Sequence, residues 1–207
     1  MSYPLEVIDL EKNYSNRKAV NGISFKVNRN EIIGILGPNG CGKTTTIGMI
    51  LGLLKPSNGK ILINGEEVEK KRVELLNQLN FISPYIELPK KLTVYQNLRV
   101  YGKLYDVKNL DDKILYLVKK LRLNEIRDKL TGELSSGQKN RVSLAKSIIN
   151  DPQVLLLDEP TASLDPETGD YVRSFLEEYQ KEKKASIVIA SHNMSEVERL
   201  CSFVLMM

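Results

Sequence analysis

One run of residues, Gly37-Pro38-Asn39-Gly40-Cys41-Gly42-Lys43-Thr44-Thr45, has the types and spacing to cradle a polyphosphate. Its glycines let the backbone wrap closely, so that N–H groups converge on phosphate oxygens. A helix starting at the loop would add its N-terminal amides and dipole to the attraction for an anion. Lys43 can reach the outer phosphates, the Thr44 hydroxyl is placed to ligate Mg²⁺, and Thr45 should add a hydrogen bond near the innermost phosphate. A glycine-rich turn can match this pattern by accident. Here, however, the loop sits between an apolar run at 31–36 and a stretch of helical character at 43–53, the context that the chemistry requires.

A second constellation lies downstream. Val154-Leu155-Leu156-Leu157 is a wholly apolar run that ends in Asp158-Glu159. Carboxylates at the C-terminal end of a buried parallel strand sit where α/β folds place ligand chemistry. Asp158 suits Mg²⁺, directly or through water. Glu159 is the better candidate for polarising an attacking water as general base. The plainer alternative is an acidic turn after a strand. The only histidine, His192, follows another apolar run at 186–190. A lone histidine is usually structural, but at this end of the sheet it becomes a catalytic candidate.

These residues need elements to hold them. Strands are expected over 5–10, 19–27 (with Asn21-Gly22 able to bend it), 31–36, 60–63 and 80–83, with helices over 43–53 and 69–79. From Tyr85 to about 150 the apolar spacing turns helical, predicting helices over 94–104 and 114–123 and a third after Ser135-Ser136-Gly137 reaching 149. Asp165 as N-cap, Pro166 at the first helical position and Glu167 in the first turn start a helix running to about 183. A buried strand follows at 186–190. Asn193 then caps a short helix, with Glu196 placed three residues later as in a capping box. The result is one α/β domain over 1–207. Residues 1–84 and 151–207 form a core with a mainly parallel sheet and an N-terminal antiparallel β part, and 85–150 form an inserted α-helical subdomain. The strand-like end at 203–207 has neither turn nor tail, which reads as a truncation.

The chain has 207 residues and a net charge of +4. Its basic clusters, Lys70-Lys71-Arg72 and 181–184, have no interleaved aromatics and read as solvated helix faces, so no nucleic-acid partner is expected. Two cysteines, Cys41 and Cys201, and one histidine form neither a disulfide framework nor a metal spacing, which suits a reducing cytosol. Glu6, Asp9 and Glu11 exclude a signal peptide, and no apolar run approaches the ~20 residues needed to span a bilayer. Any membrane span would come from another chain.

With Leu134-Ser135-Ser136-Gly137-Gln138 added, the chain resembles the nucleotide-binding subunit of an ATP-binding-cassette transporter over residues 5–207. The pentapeptide looks like the signature motif Leu-Ser-Gly-Gly-Gln of that family, which has a P-loop NTPase core. The order of phosphate loop, signature, Leu155-Leu156-Leu157-Asp158-Glu159-Pro160-Thr161 and His192 is similar throughout. The resemblance implies ATP and Mg²⁺ as ligands, with Glu159, His192 and Lys43 catalytic and Thr44 and Asp158 at the metal. It also implies a head-to-tail dimer. Each ATP would lie between residues 37–45 of one subunit and Ser135, Ser136, Gly137 and Gln138 of the other, closing on ATP and reopening on hydrolysis. Asp165, in Ser163-Leu164-Asp165, looks like the loop joining the two sites. Tyr14 matches the aromatic that stacks on adenine, set against a plain core or edge tyrosine.

The stretch from Leu92-Thr93-Val94-Tyr95-Gln96-Asn97-Leu98 through Leu104-Tyr105 looks like the subgroup paired with export-type (ABC-2-like) membrane subunits. The implied partners are a second ATP-binding subunit and a transmembrane permease, with the chain cytoplasmic and peripheral on the inner face of the cell membrane. A soluble cassette ATPase of translation or DNA repair, or a weakly hydrolysing regulatory subunit, are the alternatives. Departures from the family pattern are Pro84 where a glutamine is usual, Ser136 for the first signature glycine, and Asn30 where glycine often precedes Glu31. Ser136 would be strained if its position needs positive φ. Asn30 can itself adopt the left-handed region.

Overall fold

A computed structural model describes residues 2–84, 87–162 and 164–207. Tyr85, the expected opening of the helical stretch, and Ser163, of the Ser163-Leu164-Asp165 segment, lie outside the described residues.

The strands form two sheets. In the first, β1 (Leu5–Tyr14) pairs antiparallel with β2 (Arg17–Val27) and with β4 (Asn58–Ile63), which carries the short β5 (Glu66–Glu67) on its far side. In the second, β6 (Leu79–Ile82), β7 (Val154–Asp158), β8 (Ser186–Ser191), β3 (Ile32–Leu36) and β9 (Phe203–Met206) lie parallel in that order. Every residue of β3, β7 and β8 is buried.

Alternation along these strands shows why their sequences are apolar throughout. Ile33, Ile35, Val154, Leu156, Val188 and Ala190 pack with Ile47 and Ile50 of α1 (Lys43–Ile50) and with Leu5, Val7 and Ile63 of the antiparallel sheet. Ile32, Leu155, Leu157, Ile187 and Ile189 point the other way. They pack with Val142 and Ala145 of α5 (Ser136–Ser147) and Val172 and Leu176 of α6 (Pro166–Lys183). The same cluster takes in Val94 and Leu98 of α3 (Val94–Leu104) and Ile114 and Leu117 of α4 (Leu110–Lys120). Each buried Leu, Ile or Val contributes about 1.5–3 kcal/mol. A strand covered on both faces therefore gains from apolar residues at every position.

Several boundaries differ from expectation for local reasons. Helix α1 stops at Ile50 and not at 53, because Gly52 takes φ 64° and the N–H groups of Leu53 and Leu54 turn back to Gly48 O at 2.9 and 3.0 Å. Helix α2 spans only Arg72–Leu76, since Leu79 is already paired with Val154 in β6. Helix α4 starts earlier, at Leu110, with Asp111 and Asp112 at its positive end. It stops where Arg122 takes φ 51°. Asn30 takes φ 58°, as its side chain permits. Ser136 is absent from the positive-φ residues and opens α5 in helical geometry, so serine carries no left-handed strain there.

Helix α7 (Met194–Leu200) corrects one expectation outright. Asn193 does cap it, accepting from Ser195 N at 3.1 Å, but Glu196 does not complete a capping box. Its carboxylate is 1% exposed and turned inward, where the hydroxyls of Thr161 and Ser191 each donate to it at 2.7 Å.

Candidate functional site

The parallel register brings strand ends to one edge of the sheet: Leu36 pairs with Ser191, and Asp158 with Ala190. The phosphate loop leaves β3 at this edge and re-enters the fold as α1. Gly42 is the N-cap of α1 at φ 116°, and a Cβ there would lie 2.3 Å from Ala19 O, so only glycine fits. At Gly37 a Cβ would meet Met207 O at 2.5 Å and the Cys41 sulfur at 2.7 Å. Cys41 thus packs against the base of the loop.

Lys43 is buried, 6% exposed, and its ammonium donates to Gly37 O at 2.7 Å and Pro38 O at 3.2 Å. The Thr44 hydroxyl donates to Asp158 Oδ2 at 3.1 Å. Asp158 is 2% exposed; burial pushes its carboxyl up, while the hydrogen bond from Thr44 pulls it down. Ser83, next to Pro84, also pulls the same carboxyl down. A divalent cation suits this place, because it would offset the burial of a carboxylate that here meets mainly hydroxyls. Among the described residues no group of three or more His, Cys, Asp or Glu surrounds a metal position. The oxygens of Thr44 and Asp158 would therefore leave most of the coordination to phosphate and water, as Mg²⁺ prefers.

Glu159 stands in the left-handed region at φ 51°, with its N–H donating to Ala190 O at 2.8 Å. That backbone costs about 1 kcal/mol for a residue with a Cβ. It turns the carboxylate towards β8, where Oε1 meets His192 Nδ1 at 2.7 Å and accepts from His192 N at 3.1 Å. Pairing with a carboxylate favours the tautomer with the proton on Nδ1 of this half-exposed ring.

A cleft of about 460 Å³ gathers much of this set: Tyr14, Asn39, Gly40, Gly42, Lys43, Thr44, Thr45, Asp158 and Glu159 all line it. Tyr14 ends β1 and Arg17 opens β2 across a tight turn, so the hairpin tip overhangs the loop. The tyrosine is 48% exposed, and so is not a core residue. Two lining residues, Arg17 and Ala19, had no sequence signal beyond nearness to Tyr14. The Arg17 guanidinium donates to Gly40 O at 2.6 Å.

The signature residues do not line that cleft. Ser135 is the N-cap of α5: its hydroxyl accepts from Gln138 N at 3.3 Å and Gln138 Oε1 accepts from Ser135 N at 3.0 Å. Among the described residues the N–H groups of Ser136 and Gly137 have no acceptor in the chain. Asp165 is also outside the cleft. Its carboxylate caps α6 by accepting from Thr168 N at 3.0 Å, and that hydrogen bond holds its pKa low.

A family model described as ABC transporter matches residues 20–162. Nod factor export ATP-binding protein I of Burkholderia orbicola (strain AU 1054) is 38% identical over 200 residues, covering 96% of this chain and 66% of that protein. Bacitracin transport ATP-binding protein BcrA of Bacillus licheniformis is 38% identical over 209 residues, covering 99% of this chain and 66% of that protein. The chain thus spans just under two thirds of the length of these relatives. The solved structure of cbiO1 from Clostridium perfringens, described as part of the ABC transporter complex cbiONQ, superposes with a TM-score of 0.85. It is 34% identical and covers 100% of this chain and 85% of that one. With a matching family model over most of its length and these relatives beside it, the chain belongs to the ABC transporter family, among its ATP-binding subunits.

Proposed function

We propose that this chain binds ATP with Mg²⁺ in the cleft around residues 37–45 and hydrolyses it to power a membrane transporter of the export type. The observation that carries the reading is the juxtaposition of Lys43, the Thr44–Asp158 pair and the His192-held Glu159 at one strand edge. The relatives named for export of Nod factor and transport of bacitracin support the export assignment.

The roles follow from position. Backbone amides of 39–45 and the Lys43 ammonium hold the β- and γ-phosphates, and the exposed ring of Tyr14 faces the adenine. Thr44 and Asp158 would hold Mg²⁺, which when bound neutralises charge on the phosphate oxygens. Glu159 takes a proton from water as the water oxygen attacks the γ-phosphorus; the bond to the bridging oxygen breaks, leaving ADP and phosphate. His192 fixes the carboxylate in place.

Half of the site comes from elsewhere. The unpartnered amides of Ser136 and Gly137, beside the Ser135 hydroxyl, suit the γ-phosphate of an ATP held by a second copy. Gln138 shapes that helix end, and Asp165 would lie between the two sites. Among the described residues no helix is long and apolar enough to cross a membrane. A transmembrane permease would supply the spans and hold this chain at the cytoplasmic face.

A weakly hydrolysing regulatory role is favoured by one feature, Pro84, which offers no side-chain acceptor where the family has glutamine. Ser83, beside it, keeps a polar group close to Asp158. Nucleotide binding should survive, with hydrolysis less tightly coupled to the helical part. Pro84→Gln is expected to raise ATP turnover in the presence of the membrane partner about two- to tenfold. An unchanged rate with and without the partner counts against this. Co-purification separates the wider alternatives: a membrane protein partner supports transport, a ribosome or DNA partner sinks it.

A further inference from the structure

Glu196 is a fully buried carboxylate that none of the roles above uses. It is 1% exposed, and its two oxygens each take one hydroxyl proton: Oε1 from Thr161 and Oε2 from Ser191, both at 2.7 Å. Thr161 is 8% exposed and Ser191 is fully buried, so the arrangement is closed to solvent. It joins two segments that matter. Thr161 lies two residues after Glu159, and its carbonyl accepts from Leu164 N at 3.1 Å. Ser191 directly precedes His192.

Ser191 has a choice to make. Its hydroxyl accepts from Asn193 N at 3.1 Å and has one hydrogen to donate. Two carboxylate oxygens are in range: Glu196 Oε2 at 2.7 Å and Glu159 Oε2 at 3.5 Å. Hydrogen bonds from hydroxyl to carboxylate are strongest near the shorter distance, so the proton goes to Glu196. Glu159 Oε1 is already engaged by the ring and N–H of His192. Its Oε2 is the oxygen left to accept a proton from water.

We propose that Glu196 is a positioning residue for the general base, holding the Ser191 proton away from Glu159 Oε2 and tying Thr161 to the strand end that bears His192. The inference rests on the reading of Glu159 as general base. A bond from Ser191 to Glu159 would occupy the one carboxylate oxygen left to face water. Glu196 prevents this without touching nucleotide, because it accepts both hydroxyl protons at once.

Glutamine at 196 cannot do so. Its amide has one accepting oxygen and one donating nitrogen, so one hydroxyl must turn its hydrogen elsewhere, and Ser191 has Glu159 in reach. In steady-state ATP hydrolysis by the purified full chain, Glu196→Gln is expected to lower kcat roughly tenfold with KM for ATP unchanged. Adding Ser191→Ala removes the misdirected hydroxyl, and the double variant is expected to regain activity over Glu196→Gln alone. A residue that merely stabilised the fold would give the opposite, since a second buried hydrogen bond is being deleted. Glu196→Asp keeps both acceptors. It should hold kcat above that of Glu196→Gln, and it provides the comparison with the parent chain if the amide variant does not fold. A double variant no faster than Glu196→Gln, an aspartate variant as slow as the amide one, or an equal loss in KM overturns the proposal. Glu159→Gln run in parallel separates the two claims. If that variant is inactive while Glu196→Gln is normal, only the positioning role fails; if it hydrolyses ATP normally, the general-base reading fails first.

Discussion

Replacing Glu159 by glutamine is expected to lower ATP turnover about 10²- to 10⁴-fold while leaving ATP affinity near that of the parent chain. The amide is isosteric, and its oxygen can still accept from His192 N, which lies 3.1 Å from Glu159 Oε1. Only the capacity to take a proton is lost. Phosphate contacts from the loop and Lys43 are untouched, so the variant should accumulate with ATP bound, visible as a nucleotide-dependent dimer in size-exclusion chromatography. Phosphate release at the parent rate would reject Glu159 as the base.

The second large effect is at Lys43. Its ammonium is buried against Gly37 O and Pro38 O at 2.7 and 3.2 Å, held inside the loop and not free in solvent. A charge so placed is worth about 1.5–3 kcal/mol per hydrogen bond to phosphate, or roughly 10- to 150-fold in affinity. Lys43→Met keeps the length of the side chain and removes the charge. Titration with a fluorescent ATP analogue in Mg²⁺ should show that loss, and affinity within about threefold of the parent would refute it. Loop and base separate cleanly in these two variants: the methionine loses binding, the glutamine loses turnover.

Much of this was legible in the sequence because short-range chemistry determines it. Helix α6 begins and ends as expected, since Asp165 and Pro166 fix its start and Lys184, at φ 51°, its stop. The runs at β3, β7 and β8 announce burial on two faces. Other elements depend on partners distant in the chain. Helix α2 is short because β6 claims Leu79 for pairing with Val154, which nothing within 69–79 reveals. Glu196 has the spacing of a capping box, yet the hydroxyls of Thr161 and Ser191 offer a better place for its carboxylate than an exposed helix end. Arg17 reaches Gly40 O only because the β1–β2 hairpin folds its tip over the loop. Ser83 could be named as a neighbour of Pro84, but its closeness to Asp158 needed the register of β6 on β7.

The backbone at Glu159 has a consequence for how this chain can change. Glycine and asparagine are the residues that take φ near 51° most readily, and the chain has neither at that point. Glycine there would relieve about 1 kcal/mol of backbone strain, but would lose the proton acceptor and its hydrogen bonds to His192. A lineage released from the need for turnover could therefore trade those bonds for a relaxed backbone by a single substitution. Selection for hydrolysis would hold glutamate at 159, against the preference of the backbone that carries it.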